Sequence, residues 1–174
     1  MLLASFVANA ARSPQRPGDD VTGWHSDIPL SPWDGNDFVT FWIPLSDLPK
    51  SSPALLYASR SHADFALNFW GGQEDLEGRY VVRDHLPLSV GDVVAHHGFT
   101  LHSSKPSGAG RTAYAVSYVS AGARVRRGFK KEKGKREDEA SYGGWVKDVG
   151  RRGKLRDDHP VVPVVWPTPN RFIK

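Results

Sequence analysis

Short apolar runs that alternate with turn-forming residues make up most of residues 1–121. Runs that are rich in β-branched and aromatic residues and bounded by Gly, Pro, Asn, Asp or Ser are typical of strands. The predicted strands are Leu2–Asn9, Trp24–Ile28, Phe38–Ile43, Ala54–Tyr57, Val93–His97, Thr100–Ser104 and Arg111–Val119. The segment Phe65–Asp75 is compatible with either a helix or a loop. Many short strands in one small domain predict a mainly β fold, a sandwich or a jelly roll.

The last two predicted strands are separated by KPSGAG, a loop sequence that favours a hairpin between them. In that hairpin Ser104 would lie opposite Arg111, and His102 opposite Ala113. Strand alternation would then place an imidazole, a hydroxyl, a guanidinium and several small side chains on one face. A guanidinium beside a hydroxyl forms a suitable clamp for a carboxylate, because Arg offers a bidentate fork.

The chain changes character after Gly122, where charged and Pro-rich sequence replaces the strand pattern. Residues 1–121 carry eight Lys and Arg against twelve Asp and Glu, whereas residues 122–174 carry fifteen against seven. We therefore predict a core over 1–121 and a mobile, basic, Pro-rich extension over 122–174. A basic segment can bind nucleic acid, but the acidic residues that interrupt this one favour a solvated segment. Binding that weakens steeply with salt would distinguish the nucleic-acid alternative.

The amino-acid composition further limits the kinds of site that the chain can form. The 174 residues include no cysteine, which excludes disulfides, thiolate metal sites and cysteine nucleophiles, so a metal would need His, Asp or Glu ligands. The absence of cysteine favours an intracellular location. The apolar start MLLASFVANAAR has no basic residues before it, so we predict a strand there and no signal peptide. No apolar run is long enough to span a membrane.

Two histidines and one aspartate form the candidate site. In His25-Ser26-Asp27 the first and third side chains would point to the same side of a strand. Iron(II) in oxygenases is held by two imidazoles and one carboxylate on one face, so His102 would complete the set. His96 and His97 are strand neighbours that face opposite ways, so at most one points inward, and packing or hydrogen bonding is favoured for it.

Together WHSD, FVTFWIPLSDL, ALLYASRSH, GDVVAHHGFTLHSS and the Arg111 strand resemble the phytanoyl-CoA dioxygenase family, over roughly residues 2–121. The resemblance implies a double-stranded β-helix (a cupin-like jelly roll) in which His25, Asp27 and His102 are the catalytic metal ligands. It also implies that Arg111 and Ser104 hold the distal carboxylate of 2-oxoglutarate. Trp42 resembles the family's pocket-lining tryptophan, although a core aromatic is an equal alternative.

The implied activity is that of an Fe(II)- and 2-oxoglutarate-dependent dioxygenase. It would use O2 to hydroxylate a small-molecule substrate, releasing succinate and CO2. The carboxylate of Asp27 favours hydroxylation over halogenation, because halogenases of similar fold leave that coordination position for halide. The sequence departs from the family in a shorter interval between His102 and Arg111, an early HxD motif and the basic segment after Gly122. These departures leave a second hypothesis, a catalytically inactive jelly-roll binding protein or an incomplete family member.

Overall fold

The computed structural model of the chain describes residues 3–6, 22–34, 37–53, 55–64, 76–104, 111–120, 122–125, 150–151, 153–155 and 164–166. Strands dominate these residues, in the order β1 (Leu3–Phe6), β2 (Trp33–Asp34), β3 (Phe38–Pro44), β4 (Leu55–Ala58), β5 (Val82–Arg83), β6 (Val94–His97), β7 (His102–Ser104), β8 (Ala113–Ser120), β9 (Arg124–Val125), β10 (Gly150–Arg151), β11 (Lys154–Leu155) and β12 (Val164–Trp166). One short helix, α1, spans Leu76–Arg79, and 3₁₀ turns span Ile28–Leu30 and Ser61–Ala63. The predicted mainly β fold is confirmed.

The chain divides into two compact units. The terminal unit contains Met1–Val7, Leu30–Phe38 and Ser117–Lys174, and the central unit contains Ala8–Pro29 and Val39–Val116. No helix in the described part of the chain is long and apolar enough to cross a membrane. The prediction for Phe65–Asp75 concerns residues outside those described, as does most of the predicted basic extension, including 126–149. The domain boundary at residue 121 therefore stays a prediction.

In the terminal unit β1 pairs antiparallel with the second half of β8 and also with β12. Strand β9 pairs with β2 and with β11, which in turn pairs with β10. The side chain of Trp33 is completely buried here and meets Phe38 edge to face, with 5.6 Å between the ring centroids. Short strands from both ends of the chain therefore complete this unit.

In the central unit β3 and β6 pair antiparallel, with Thr40 opposite His96. A second sheet has the order β5-β4-β7, and in it Tyr57 lies opposite His102. The β-branched and aromatic residues of FVTFWI favour the extended conformation of β3. Because directly opposite residues of an antiparallel pair share a face, each sheet presents one of these pairs to the site.

A small apolar cluster supports the start of β7. Ala58, Leu76 and Leu101 are buried together, and Trp24 and Tyr80 pack against them. The backbone N–H of Leu101 donates to the hydroxyl of Ser61 at 2.9 Å, and its carbonyl accepts from Ala58 at 3.0 Å. The residue that precedes His102 is therefore fixed both by packing and by hydrogen bonds.

The predicted hairpin between Thr100–Ser104 and Arg111–Val119 is wrong. One edge of β7 pairs with β4, and the other edge is bonded to the segment around Thr22 and His25. A strand has only two hydrogen-bonding edges, so β8 is excluded from pairing with β7. Instead the segment before β8 adjoins the end of β3, where Leu45 N–H donates to the carbonyl of Thr112 at 2.9 Å. The predicted pairs Ser104–Arg111 and His102–Ala113 do not form.

Candidate metal centre

Backbone hydrogen bonds bring the HxD segment alongside β7. The N–H of His25 donates to the carbonyl of His102 at 3.0 Å, and the N–H of His102 donates back at 2.8 Å. At one end of this contact Ser104 bonds to Thr22, and at the other Ile28 N–H donates to the carbonyl of Gly98 at 3.0 Å. The expected strand Trp24–Ile28 is thus a single bridge at His25 followed by a 3₁₀ turn. The two imidazoles still meet, with ring centroids 4.2 Å apart.

The structure brings together all three predicted metal ligands. One ligand atom from each of His25, Asp27 and His102 lies within 4.8 Å of the other two. The Nδ1 atom of His25 lies 2.8 Å from the carbonyl of Gly23, and that of His102 lies 3.0 Å from the carbonyl of Thr100. Since a backbone carbonyl can only accept, both rings carry their proton on Nδ1 and can coordinate through Nε2.

The protonation states of Asp27 and His102 at neutral pH also favour metal binding. Burial alone would raise the pKa of Asp27, but hydrogen bonding to His96 and the charges of His102 and His96 outweigh it, lowering that pKa to about 2. Burial lowers the pKa of His102 to about 4, against the opposing effect of Asp27. At neutral pH the pair is therefore an ionised carboxylate and a neutral imidazole, the forms that bind a cation.

The carboxylate of Asp27 is held from the side of the β3–β6 pair. Its Oδ2 accepts a hydrogen bond from Thr40 Oγ1 at 2.8 Å and lies 3.1 Å from His96 Nε2. Its Oδ1 lies 3.5 Å from His102 Nε2. Partners of this kind orient metal-binding carboxylates. The two contacts on Oδ2 therefore turn Oδ1 toward the imidazole of His102.

His96 is a supporting residue that the sequence identified only as one of two alternatives. It is buried, whereas His97 is half-buried and lies against Phe99 and His62. The prediction that one of the pair points inward and makes a hydrogen bond is confirmed for His96. Thr40 and Tyr57 were not predicted. Thr40 shares a strand face with Trp42 at a spacing of two residues, and that signal could have found it.

Replacing His96 should weaken the metal centre without removing a ligand. We expect His96→Ala to lower Fe(II) affinity by about ten- to a hundredfold, the usual cost of losing an outer-shell partner. His97→Ala is the matched control, because the neighbouring side chain faces the other way and should leave the affinity unchanged. Anaerobic Fe(II) titration of both variants measures this. Equal affinity in parent and His96→Ala would show that His96 does not support Asp27.

Two of the three predicted cosubstrate residues, Arg111 and Trp42, also come together. The guanidinium carbon of Arg111 lies 5.5 Å from the centroid of the Trp42 ring, a cation–π distance. The Nη1 atom of Arg111 donates to the carbonyl of Pro53 at 2.5 Å. Burial lowers the pKa of this guanidinium, which nevertheless stays charged at neutral pH. A fixed positive charge therefore lies beside an aromatic wall in the same unit as the metal ligands.

Ser104 is buried on β7, but its oxygen accepts a hydrogen bond from the N–H of Thr22 at 2.8 Å. Among the described residues no hydrogen bond joins Ser104 to Arg111, and β7 does not pair with β8. Ser104 shares a strand face with His102, as alternation predicts. Its contact with a cosubstrate stays a prediction.

The donor set fits a non-heme iron ion. Two imidazole nitrogens and one carboxylate oxygen on one side of an ion form the facial arrangement of Fe(II) oxygenases, which leaves the other positions open. His25, Asp27 and His102 supply that set, and the Nδ1 hydrogen bonds orient both rings toward a shared point. The same ligands could bind other divalent ions, since affinity alone does not select the metal.

Comparison with known proteins agrees with this arrangement. A family model described as phytanoyl-CoA dioxygenase matches residues 5–113, more than half of the chain. Among curated proteins, none matches the chain in sequence. The matched range contains the HxD segment, β7 and Arg111, so every predicted site residue falls within it.

Solved structures of similar shape include two enzymes of nogalamycin biosynthesis. The non-heme α-ketoglutarate-dependent carbocyclase SnoK is 22% identical, with a TM-score of 0.65 over 94% of this chain and 62% of that one. The epimerase SnoN is 20% identical, with a TM-score of 0.66 over 98% and 65%. SnoN is also known in complex with Fe3+, α-ketoglutarate and nogalamycin RO, at a TM-score of 0.61. The chain spans less than two thirds of either enzyme, and the likeness confirms the predicted jelly-roll fold.

Proposed function

The chain belongs to the phytanoyl-CoA dioxygenase family, and from this premise we propose that it is an Fe(II)- and 2-oxoglutarate-dependent dioxygenase. The reaction would hydroxylate a small organic substrate and release succinate and CO2. The observation that carries the proposal is the convergence of His25, Asp27 and His102, with both rings and the carboxylate oriented by further hydrogen bonds.

His25, Asp27 and His102 would hold the iron, and His96 and Thr40 would keep the carboxylate in place. When bound, iron and 2-oxoglutarate would activate dioxygen for the oxidation of a substrate C–H bond. The protein's own contribution is orientation: three fixed ligands on one side determine which side stays open to cosubstrate and substrate. Burial of His102 and His96 keeps water from the inner side of the centre.

Arg111 would bind the distal carboxylate of 2-oxoglutarate, and Trp42 would line the pocket beside it. The contact with the carbonyl of Pro53 uses one guanidinium nitrogen and leaves the remaining donors for a ligand. Charge-assisted bonds from a guanidinium are stronger than neutral ones, particularly where burial lowers the effective dielectric. Ser104 would add a contact from the β7 side of the site.

Succinate formation tests the proposed activity directly. We expect the protein to convert 2-oxoglutarate to succinate in air, with a requirement for added Fe(II) and a loss of activity when a chelator removes it. Some uncoupled turnover is expected without the primary substrate. Iron-dependent binding of 2-oxoglutarate without any succinate, across a panel of small hydrophobic and polar substrates, would instead favour a catalytically inactive binding protein.

A further inference from the structure

The hydroxyl of Tyr57 is a buried polar group that has no hydrogen-bond partner among the residues that the structure describes. The residue is 5% exposed, and within the described part of the chain its oxygen has no hydrogen bond. A buried hydroxyl without a hydrogen bond destabilises the folded state, because it has lost its hydrogen bonds to water and forms none within the protein. Such a group in a native structure needs an explanation, and a bound ligand is one.

Tyr57 lies within the candidate site. It is directly opposite His102 in the β4–β7 pairing, and the two rings stack with their centroids 6.0 Å apart. The ring of His96 is 5.4 Å away, and the rings of His96 and His102 are 4.6 Å apart. The tyrosine ring is therefore next to one proposed metal ligand and next to the residue that supports another.

The hydroxyl also lies in the electrostatic field of both ends of the proposed cosubstrate pocket. Burial raises the pKa of Tyr57, the negative charge of Asp27 raises it further, and the positive charge of Arg111 opposes the rise. A tyrosine hydroxyl is ordinarily protonated at neutral pH and can donate a hydrogen bond. Because both charges act on this hydroxyl, it lies near the carboxylate of Asp27 and near the guanidinium of Arg111.

We propose that the Tyr57 hydroxyl donates a hydrogen bond to the distal carboxylate of 2-oxoglutarate, acting with Arg111. This inference rests on the proposed function. The sequence predicts that Ser104 supplies a hydroxyl to this carboxylate, but the Ser104 oxygen accepts a hydrogen bond from the N–H of Thr22. Tyr57 would add a second hydroxyl to the site. The carboxylate would in turn accept a hydrogen bond from this buried hydroxyl.

The test compares cosubstrate affinity and stability in Tyr57→Phe, which keeps the ring and removes only the hydroxyl. Calorimetric titration of the anaerobic Fe(II)-loaded protein with 2-oxoglutarate should show affinity lowered by about tenfold, the effect of one hydrogen bond to a charged group. The melting temperature without 2-oxoglutarate should be unchanged or higher, because an unpaired buried hydroxyl has been removed. Tyr80→Phe is the matched control, since its hydroxyl bonds to Asp64, and cosubstrate affinity should be unchanged.

Titration with a second ligand shows which part of 2-oxoglutarate the hydroxyl of Tyr57 contacts. 2-Oxopentanoate has the same chain as 2-oxoglutarate but lacks the distal carboxylate, so Tyr57→Phe and parent should bind it equally. Equal weakening toward both ligands would overturn the assignment to the distal carboxylate, and equal 2-oxoglutarate affinity in parent and variant would overturn any contact. If the parent itself fails to bind 2-oxoglutarate, the proposed function fails and the inference falls with it. These results are distinguishable because the parent is titrated first.

Discussion

Asp27→Ala should abolish iron-dependent turnover and leave the fold intact. The substitution removes the carboxylate from the proposed ligand set, so Fe(II) affinity should fall by more than the ~10–100-fold cost of losing an outer-shell partner. The side chain is not part of the apolar core, so the strands that carry it should persist. Anaerobic Fe(II) titration, succinate assays and circular dichroism of the variant measure the three quantities.

The control for Asp27 is an aspartate outside the site. Asp37 is exposed, and Asp37→Ala should retain both iron affinity and turnover. A variant Asp27→Ala that is folded and forms succinate at the parent rate would remove Asp27 from the ligand set. An unfolded variant would instead be replaced by Asp27→Asn, which keeps the volume and the acceptor for Thr40 but removes the negative charge.

Arg111→Ala should lose ten- to a hundredfold in 2-oxoglutarate affinity. A hydrogen bond to a charged group contributes roughly 1.5–3 kcal/mol, which corresponds to about that loss. Arg111→Lys should be intermediate, because Lys keeps the positive charge but lacks the planar fork. Iron affinity should be nearly unchanged in both, since the guanidinium is proposed to bind the cosubstrate and not the metal. Sequential titration with Fe(II) and then 2-oxoglutarate separates these effects.

Arg124→Ala provides the comparison for Arg111, because Arg124 is an exposed arginine of the terminal unit. It should bind 2-oxoglutarate as the parent does. Arg111→Ala with parental cosubstrate affinity would exclude Arg111 from the pocket. A fall in iron affinity as large as the fall in 2-oxoglutarate affinity would mean that Arg111 supports the metal centre instead.

Much of the central unit could be predicted from local sequence. FVTFWI and VVAHH have the β-branched and aromatic residues of strands, and β3 and β6 form where these patterns lie. The HxD spacing and a distant histidine suggested candidate ligands, since few residue types can hold a metal in a chain without cysteine, but the ligand assignment also depended on the family resemblance. The resemblance of the motifs to a known family added the order in which they occur.

Long-range pairing was harder to predict. The loop KPSGAG favoured a hairpin, but β7 pairs with β4 and with the HxD segment, and neither contact has a local signal in the sequence. The same limit applies to His96, because its neighbour His97 has the same side chain and only the sheet decides which one is buried. In the sequence Tyr57 has the pattern of an ordinary strand residue. Its place in the site follows only from the pairing of β4 with β7, which puts it opposite His102.

Locating the iron by anomalous diffraction tests the central claim most directly. Crystals grown anaerobically with Fe(II) and 2-oxoglutarate, measured on both sides of the iron absorption edge, reveal the ion independently of any assumed ligand. We expect one peak among His25, Asp27 and His102, about 2.0–2.2 Å from an imidazole nitrogen of each histidine and an oxygen of the carboxylate. An iron peak away from these three side chains, or His102 turned away from Asp27 in the iron-bound crystal, would contradict the proposed centre.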